Sequence, residues 1–234
     1  MSSRVEHSGG EPTAPLRLVL ASASPARLAT LRRAGVDPYV MISEVDEDAT
    51  VSAGVARYGE LGCDDVALLL ARAKCEDVAA RIDAGQPPEG TDGQVLVLGC
   101  DSVLDLDGQV HGKPTDAEVA RQRWRVMRGS CGVLHTGHWL IDTRDAGAGG
   151  SGATFGAVAS TTVWFADVSD AEIDAYVATG EPLRVAGAFT IDGLGGPFIE
   201  RIEGDPHNVV GVSLPLVRSL LGELGLSWYQ LRRP

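Results

Sequence analysis

The chain has 234 residues, 44% of them hydrophobic, and sets 20 lysines and arginines against 32 aspartates and glutamates, for a net charge of −12 with histidine neutral. That much apolar material can bury a sizeable core, while the acidic surplus and the lack of a basic stripe argue against binding to a nucleic-acid duplex. No apolar run approaches the ~20 residues needed to cross a bilayer, and an anionic small substrate is compatible with this charge only where cations or a metal ion gather locally.

Residues 1–15 are polar and turn-rich and read as a disordered leader. Residues 16–21 (LRLVLA) are an apolar run of strand length. Ser24-Pro25 then predicts a capped helix over 25–34, with proline tolerated at the first helical position and Gly35 as the stop. A second strand fits 39–42 and runs into an acidic turn over 43–48. In 64–83, Val66, Leu69, Leu70 and Ala73 follow the helical spacing i, i+3, i+4, i+7. Residues 84–94 read as a loop. Residues 95–99 (VLVLG) read as a short buried strand, with Asp101 just past its end. Asp107-Gly108 predicts a hairpin turn within 104–110. Thr115 with Glu118, and Ser169 with Glu172, are capping boxes for two further helices, the second over 170–179. Residues 133–143 and 154–165 are β-rich arms joined by DAGAGGSG, a flexible linker by composition. The last third carries segments 186–191 and 198–202 and a final helix near 214–224. Strands and helices mix without strict alternation, which predicts an α/β fold on a mixed sheet.

Cys63, Cys75, Cys100 and Cys131 form no CxxC pair and follow no secretory signal, so they read as reduced thiols of a cytoplasmic protein. The basic residues are more informative. Arginine has taken eighteen of the twenty basic positions, leaving only Lys74 and Lys113. A lysine kept against such a bias is a candidate for work that needs a compact point charge instead of a planar fork.

Ser22, Ser24 and Arg27 surround a helix N-terminus. Free amides, hydroxyls and a guanidinium there suit a phosphate, although an ordinary cap has the same composition. Asp101, after an apolar strand, lies where α/β proteins place their sites and can bind Mg²⁺ or take a proton from water. Lys113, twelve residues on and across the hairpin, returns towards the same edge. Glu44, Asp46, Glu47 and Asp48 offer hard oxygen ligands without an EF-hand's spacing. The histidines lack zinc-ligand spacing. No dinucleotide fingerprint, Walker A motif or GxSxG elbow is present.

Seven segments in order carry a family likeness: LASASPARLATLRRAG (20–35), VDE (45–47), LARAK (70–74), GCDSVLDLDGQVHGKP (99–114), MRGSCGVLHTG (127–137), YVATGEPLRVAGAFTIDGLGGPF (176–198) and IEGDPHNVVGVSLP (202–215). Together they resemble the Maf family of nucleoside triphosphate pyrophosphatases. The resemblance implies a single domain over 16–230, with an elongated mixed sheet flanked by helices and a central cleft between two lobes. It implies a cytoplasmic homodimer. It also implies hydrolysis of a nucleoside triphosphate to the monophosphate and pyrophosphate with a divalent cation, Mg²⁺ or Mn²⁺, so as to remove non-canonical or surplus nucleotides. On this likeness Asp101 is the proton acceptor and, with Glu47, the metal carboxylate. Ser22, Ser24, Arg27, Lys74 and Lys113 hold the triphosphate. Ala26, Ser102 and Asp192 depart from the family's usual residues at positions that resemble those tuning base choice. A nucleotide-binding regulator of cell division without important turnover is the alternative the family name suggests.

Overall fold

A computed structural model describes residues 16–89, 91 and 94–232; the leader expected over 1–15 lies outside the described residues. The chain begins with β1 (Arg17–Ala21) and α1 (Pro25–Arg33), where Ser24 Oγ accepts the Arg27 amide at 3.3 Å as the expected cap. After β2 (Tyr39–Val40), the acidic segment is only partly a turn: Asp46 caps α2 (Glu47–Tyr58) by accepting from the Ala49 amide at 2.9 Å. Glu47 and Asp48 therefore occupy a helical first turn, where carboxylates suit the helix dipole. Val51, Val55 and Tyr58 have helical spacing in α2, yet only Gly54 is buried, and Val55 and Tyr58 stay exposed. The long helix α3 (Cys63–Asp83) falls where its spacing predicts.

The strand expected to end at residue 99 continues instead as β3 (Val95–Leu106), and Asp101 is inside it. Pairing with β5 (Cys131–Asp142) sets that length, holding β3 from Leu96 to Asp105 in unbroken antiparallel register. The turn into β4 (Gln109–His111) uses Asp107 at φ 51° and Gly108 at φ 79°, the left-handed pair a tight hairpin needs. Helix α4 (Ala117–Met127) is capped by Asp116 and not by Thr115; the Asp116 carboxylate, the stronger acceptor, takes the Val119 amide at 2.9 Å. Between β5 and β6 (Thr154–Phe165), the glycine-rich connection is tied down by Ser151, whose amide and hydroxyl both donate to Asp142. Helix α5 (Asp170–Ala178) has its capping box. Segment 186–191 joins no strand and opens with a 3-10 turn; β7 (Ile199–Glu203), α6 (Pro206–Val210) and α7 (Leu214–Glu223) complete the fold.

The seven-stranded sheet has the order β2-β1-β3-β5-β6-β7, with β4 also on β3. Its first three strands are parallel and the rest antiparallel, the mixed sheet the sequence predicts. On one face Leu96, Leu98 and Cys100 pack with Leu31, Val217 and Leu221; on the other Val95 and Val97 meet Cys75, Val78 and Ile82 of α3. A further core gathers around fully buried Trp124, with Leu104, Met127, Phe165, Tyr176 and Phe189. Its indole donates to Ala188 O at 2.8 Å and meets the rings of Phe165, Tyr176 and Phe198 edge-on. Each buried leucine or phenylalanine contributes roughly 1.5–3 kcal/mol. Between these cores one edge of β3 changes partner: β1 covers 95–99 and β4 covers 104–106. Residues 100–103 lie in the interval, beside the start of α1. Among the described residues no helix is long and apolar enough to cross a membrane.

Candidate active site

Two glycines set how closely α3 lies on the sheet. A Cβ on Gly99 would come within 2.2 Å of the Ala71 carbonyl, and one on Gly137 within 2.2 Å of the Ala67 carbonyl. With neither present, α3 settles onto β3 and β5, and Lys74 is driven against the sheet. Its ammonium lies 2.5 Å from Asp101 Oδ1 and 2.6 Å from Glu47 Oε1. Lys74 is 9% exposed and Asp101 8%, so the ion pair is largely withdrawn from water.

Burial acts most strongly on Asp101 and holds its pKa above the ordinary carboxylate value, even against the charges of Lys74 and Arg27. For the more exposed Glu47, partial burial also pushes upward, but the Lys74 hydrogen bond and the charges of Lys74, Lys113 and Arg27 outweigh it and leave the pKa lowered. Two carboxylates with opposed shifts thus share one ammonium. A carboxylate with a raised pKa is the better proton acceptor near neutral pH.

Arg27 is buried from the other side of β3. Its Nε donates to Gly211 O at 2.7 Å, Nη1 to Ser22 Oγ at 2.9 Å and Nη2 to Ser102 Oγ at 2.9 Å. No carboxylate lies within ion-pair distance of it among the described residues. All three partners are neutral oxygens, so a desolvated cation has no carboxylate in contact, an arrangement that favours an incoming anion. At the start of α1, Pro25 has no amide hydrogen and Ser24 takes the Arg27 amide. The helix terminus therefore offers the Ala26 amide, fewer donors than the spacing suggests.

The structure thus brings Ser22, Ser24, Arg27, Glu47, Lys74, Asp101 and Ser102 together. Ala26, half-buried, is in the first turn of α1. Lys113 follows β4, exposed and without a side-chain partner among the described residues, yet near enough for its charge to act on Glu47. Asp192 is exposed and faces Arg33 at 3.8 Å, at the opposite end of α1 from Ser24. Of the other acidic residues over 43–48, Asp46 is occupied as a helix cap and Glu44 approaches Arg81 at 3.7 Å.

Thr136, His138 and Asn208 in this region have no local signature in the sequence. Ser102 Oγ meets Thr136 Oγ1 at 2.9 Å, and Thr136 Oγ1 donates to Asn208 O at 3.1 Å. The Asn208 amide donates to Leu134 O and to Thr161 Oγ1, both at 3.1 Å. His138 Nε2 accepts the Ser213 amide at 2.8 Å, so Nδ1 carries the hydrogen and donates to Thr136 O at 3.0 Å. Burial pushes the His138 pKa down to about 4.

The donor chemistry fits a divalent cation that arrives with its substrate. Glu47 Oε1 and Asp101 Oδ1 are taken by the Lys74 ammonium, and the second oxygen of each carboxylate, completed by substrate phosphates, makes a common set for Mg²⁺. Among the described residues no group of three or more His, Cys, Asp or Glu side chains is placed to hold a metal unaided.

A family model described as "Maf-like protein" matches residues 17–224. A protein of Leifsonia xyli subsp. xyli named nucleoside triphosphate pyrophosphatase is 55% identical over 216 residues, covering 92% of this chain and 96% of that one. Proteins of the same name are 57% identical in Salinispora tropica (91% and 85% covered) and 53% identical in Streptomyces avermitilis (93% and 95% covered).

Proposed function

Because this chain belongs to the Maf family, we propose that it hydrolyses nucleoside triphosphates to the monophosphate and pyrophosphate, a nucleotide diphosphatase acting at Asp101. The observation that carries this reading is the buried Arg27 guanidinium with no carboxylate in contact, across one strand from an aspartate whose pKa burial has raised.

Arg27 and the Ser22 hydroxyl receive phosphate oxygens, with the Ala26 amide at the head of α1 close by. Lys74 and Lys113 add the compact positive charge that a triphosphate needs in a molecule of net charge −12. Asp101 accepts the proton of a water whose oxygen attacks the α-phosphorus. The bond to the bridging oxygen breaks, and pyrophosphate departs with the electron pair. The protein contributes position and charge rather than covalent steps. A divalent ion, Mg²⁺ or Mn²⁺, held by Glu47 and Asp101 together with the phosphates would supply Lewis-acid charge there. Ala26, Ser102 and Asp192 are assigned to base choice on the family likeness alone, as are the homodimer and the cytoplasmic location. Residues 16–230 form one domain in this reading, since a single sheet runs through all the cores.

A nucleotide panel resolved by chromatography tests it. Monophosphate should appear as product, and phosphate should be detected only after inorganic pyrophosphatase is added. Phosphate release without that auxiliary enzyme would rule out the reaction. Saturable binding with no turnover of any triphosphate would favour the regulator of cell division.

A further inference from the structure

The hydroxyls around Arg27 differ in which way their hydrogens point. A guanidinium can only donate and a carbonyl can only accept. Thr136 Oγ1 gives its hydrogen to Asn208 O, so the hydrogen between Ser102 and Thr136 must come from Ser102. Ser102 Oγ is then left as acceptor for Arg27 Nη2. The chain Arg27 → Ser102 → Thr136 → Asn208 runs one way, with its direction fixed at both ends. Ser22 Oγ is different. It accepts from Arg27 Nη1 at 2.9 Å and from the Ser24 amide at 3.2 Å, so its own hydrogen stays unspent among the described residues.

Building on the hydrolase reading above, we infer that Thr136, with the Asn208 carbonyl, is a positioning group for substrate binding: it locks Ser102 as an acceptor and so fixes the Arg27 plane, leaving one hydrogen on each terminal nitrogen for the anion. Of the two hydroxyls touching Arg27, Ser22 supplies a donor to phosphate and Ser102 does not. Thr136 is fully buried and Asn208 is anchored by two further hydrogen bonds, so the far end of the chain cannot swing. A wire of this kind restrains a guanidinium that has no carboxylate to orient it. It acts on binding, since Asp101, the base in the hydrolase reading, is held by Lys74 and not by this chain.

Thr136→Val keeps the shape and removes the donor; Ser102 then loses its acceptor and can turn its hydrogen towards Arg27. Binding of inorganic tripolyphosphate, measured by titration calorimetry, reads the effect without regard to base or turnover. Kd should rise about tenfold in Thr136→Val, and KM for the best nucleoside triphosphate should rise alike while kcat changes less than twofold. Thr136→Ser should restore both. Ser102→Ala should weaken binding to a similar degree, and the double variant should be no worse than either single one, because the chain acts as a unit. Unchanged Kd in Thr136→Val, or no recovery in Thr136→Ser, overturns the inference. If Thr136→Val does not fold, wild-type affinity in Ser102→Ala overturns it. A wild-type protein that binds tripolyphosphate but turns over no nucleotide would sink the hydrolase reading alone, and the same Kd comparison would still decide this one.

Discussion

Asp101 and Gly137 face each other across the β3–β5 pair, and the missing side chain of Gly137 is what allows α3 to bring Lys74 to Asp101. A methyl group there meets the Ala67 backbone, which cannot give way as a flexible side chain could. Gly137→Ala should therefore lift α3. Overpacking of this kind costs about 1–3 kcal/mol, and widening the Lys74–Asp101 contact should lower kcat/KM at least tenfold. Thermal melts and initial rates on the same preparation check both effects.

Asp101→Asn should separate activity from stability. Loss of a proton acceptor should reduce kcat by about 10²–10⁴-fold. Stability should not fall with it. The folded-state pKa of Asp101 is raised, so ionising it weighs against the fold as pH climbs past the ordinary carboxylate value of 3.8, and asparagine removes that burden while Lys74 keeps Glu47. Melting temperature at pH 7 should match or exceed the wild type. In the wild type, the acid limb of kcat/KM should lie above 3.8. A limb at or below that value would count against Asp101 as the base.

Lys74 should not be replaceable by arginine. Its ammonium is a single point within 2.6 Å of two carboxylates, in a space shaped for a narrow side chain. Lys74→Met should cost about 10²–10³-fold in kcat/KM, the scale of losing one preorganised charge donor. Lys74→Arg should recover less than a tenth of that loss, because a planar fork cannot occupy the same point. Steady-state kinetics on both variants settle the comparison.

Buried His138 should give the fold an acid-sensitive limb. Its pKa falls from an ordinary 6.5 to about 4, so the unfolded chain binds the extra proton first. Stability is fully present above pH 6.5, declines as pH falls below it, and has lost this share near pH 4, on the order of a few kcal/mol. Urea unfolding at pH 7, 5.5 and 4.5 should show the decline, and His138→Phe should flatten it.

Much of the framework was visible in residue pattern. Ser24-Pro25 announces α1 because the cap is made by neighbours in the chain. The Asp107-Gly108 turn and the spacing of α3 are local for the same reason. Where a distant partner decides, pattern is silent. The length of β3 depends on β5, so Asp101 could not be placed inside a strand from its own surroundings. Helix α2 has Val51, Val55 and Tyr58 at helical spacing, but it opens within an acidic run that reads as a turn and buries only Gly54. The candidate site divides likewise. The scarcity of lysine points to Lys74, and the serines and Arg27 mark their own turn. Thr136 and Asn208 reach Ser102 only by tertiary contact, and threonine and asparagine are too common in such segments to stand out.

The bond from Arg27 to the Gly211 carbonyl spans 184 residues. During synthesis, when the ribosome releases the amino-terminal portion first, Ser22, Lys74 and Asp101 can all be present while Arg27 still lacks one of its three holds. A nascent chain that has not yet reached Gly211, just past α6, therefore has no finished anion seat.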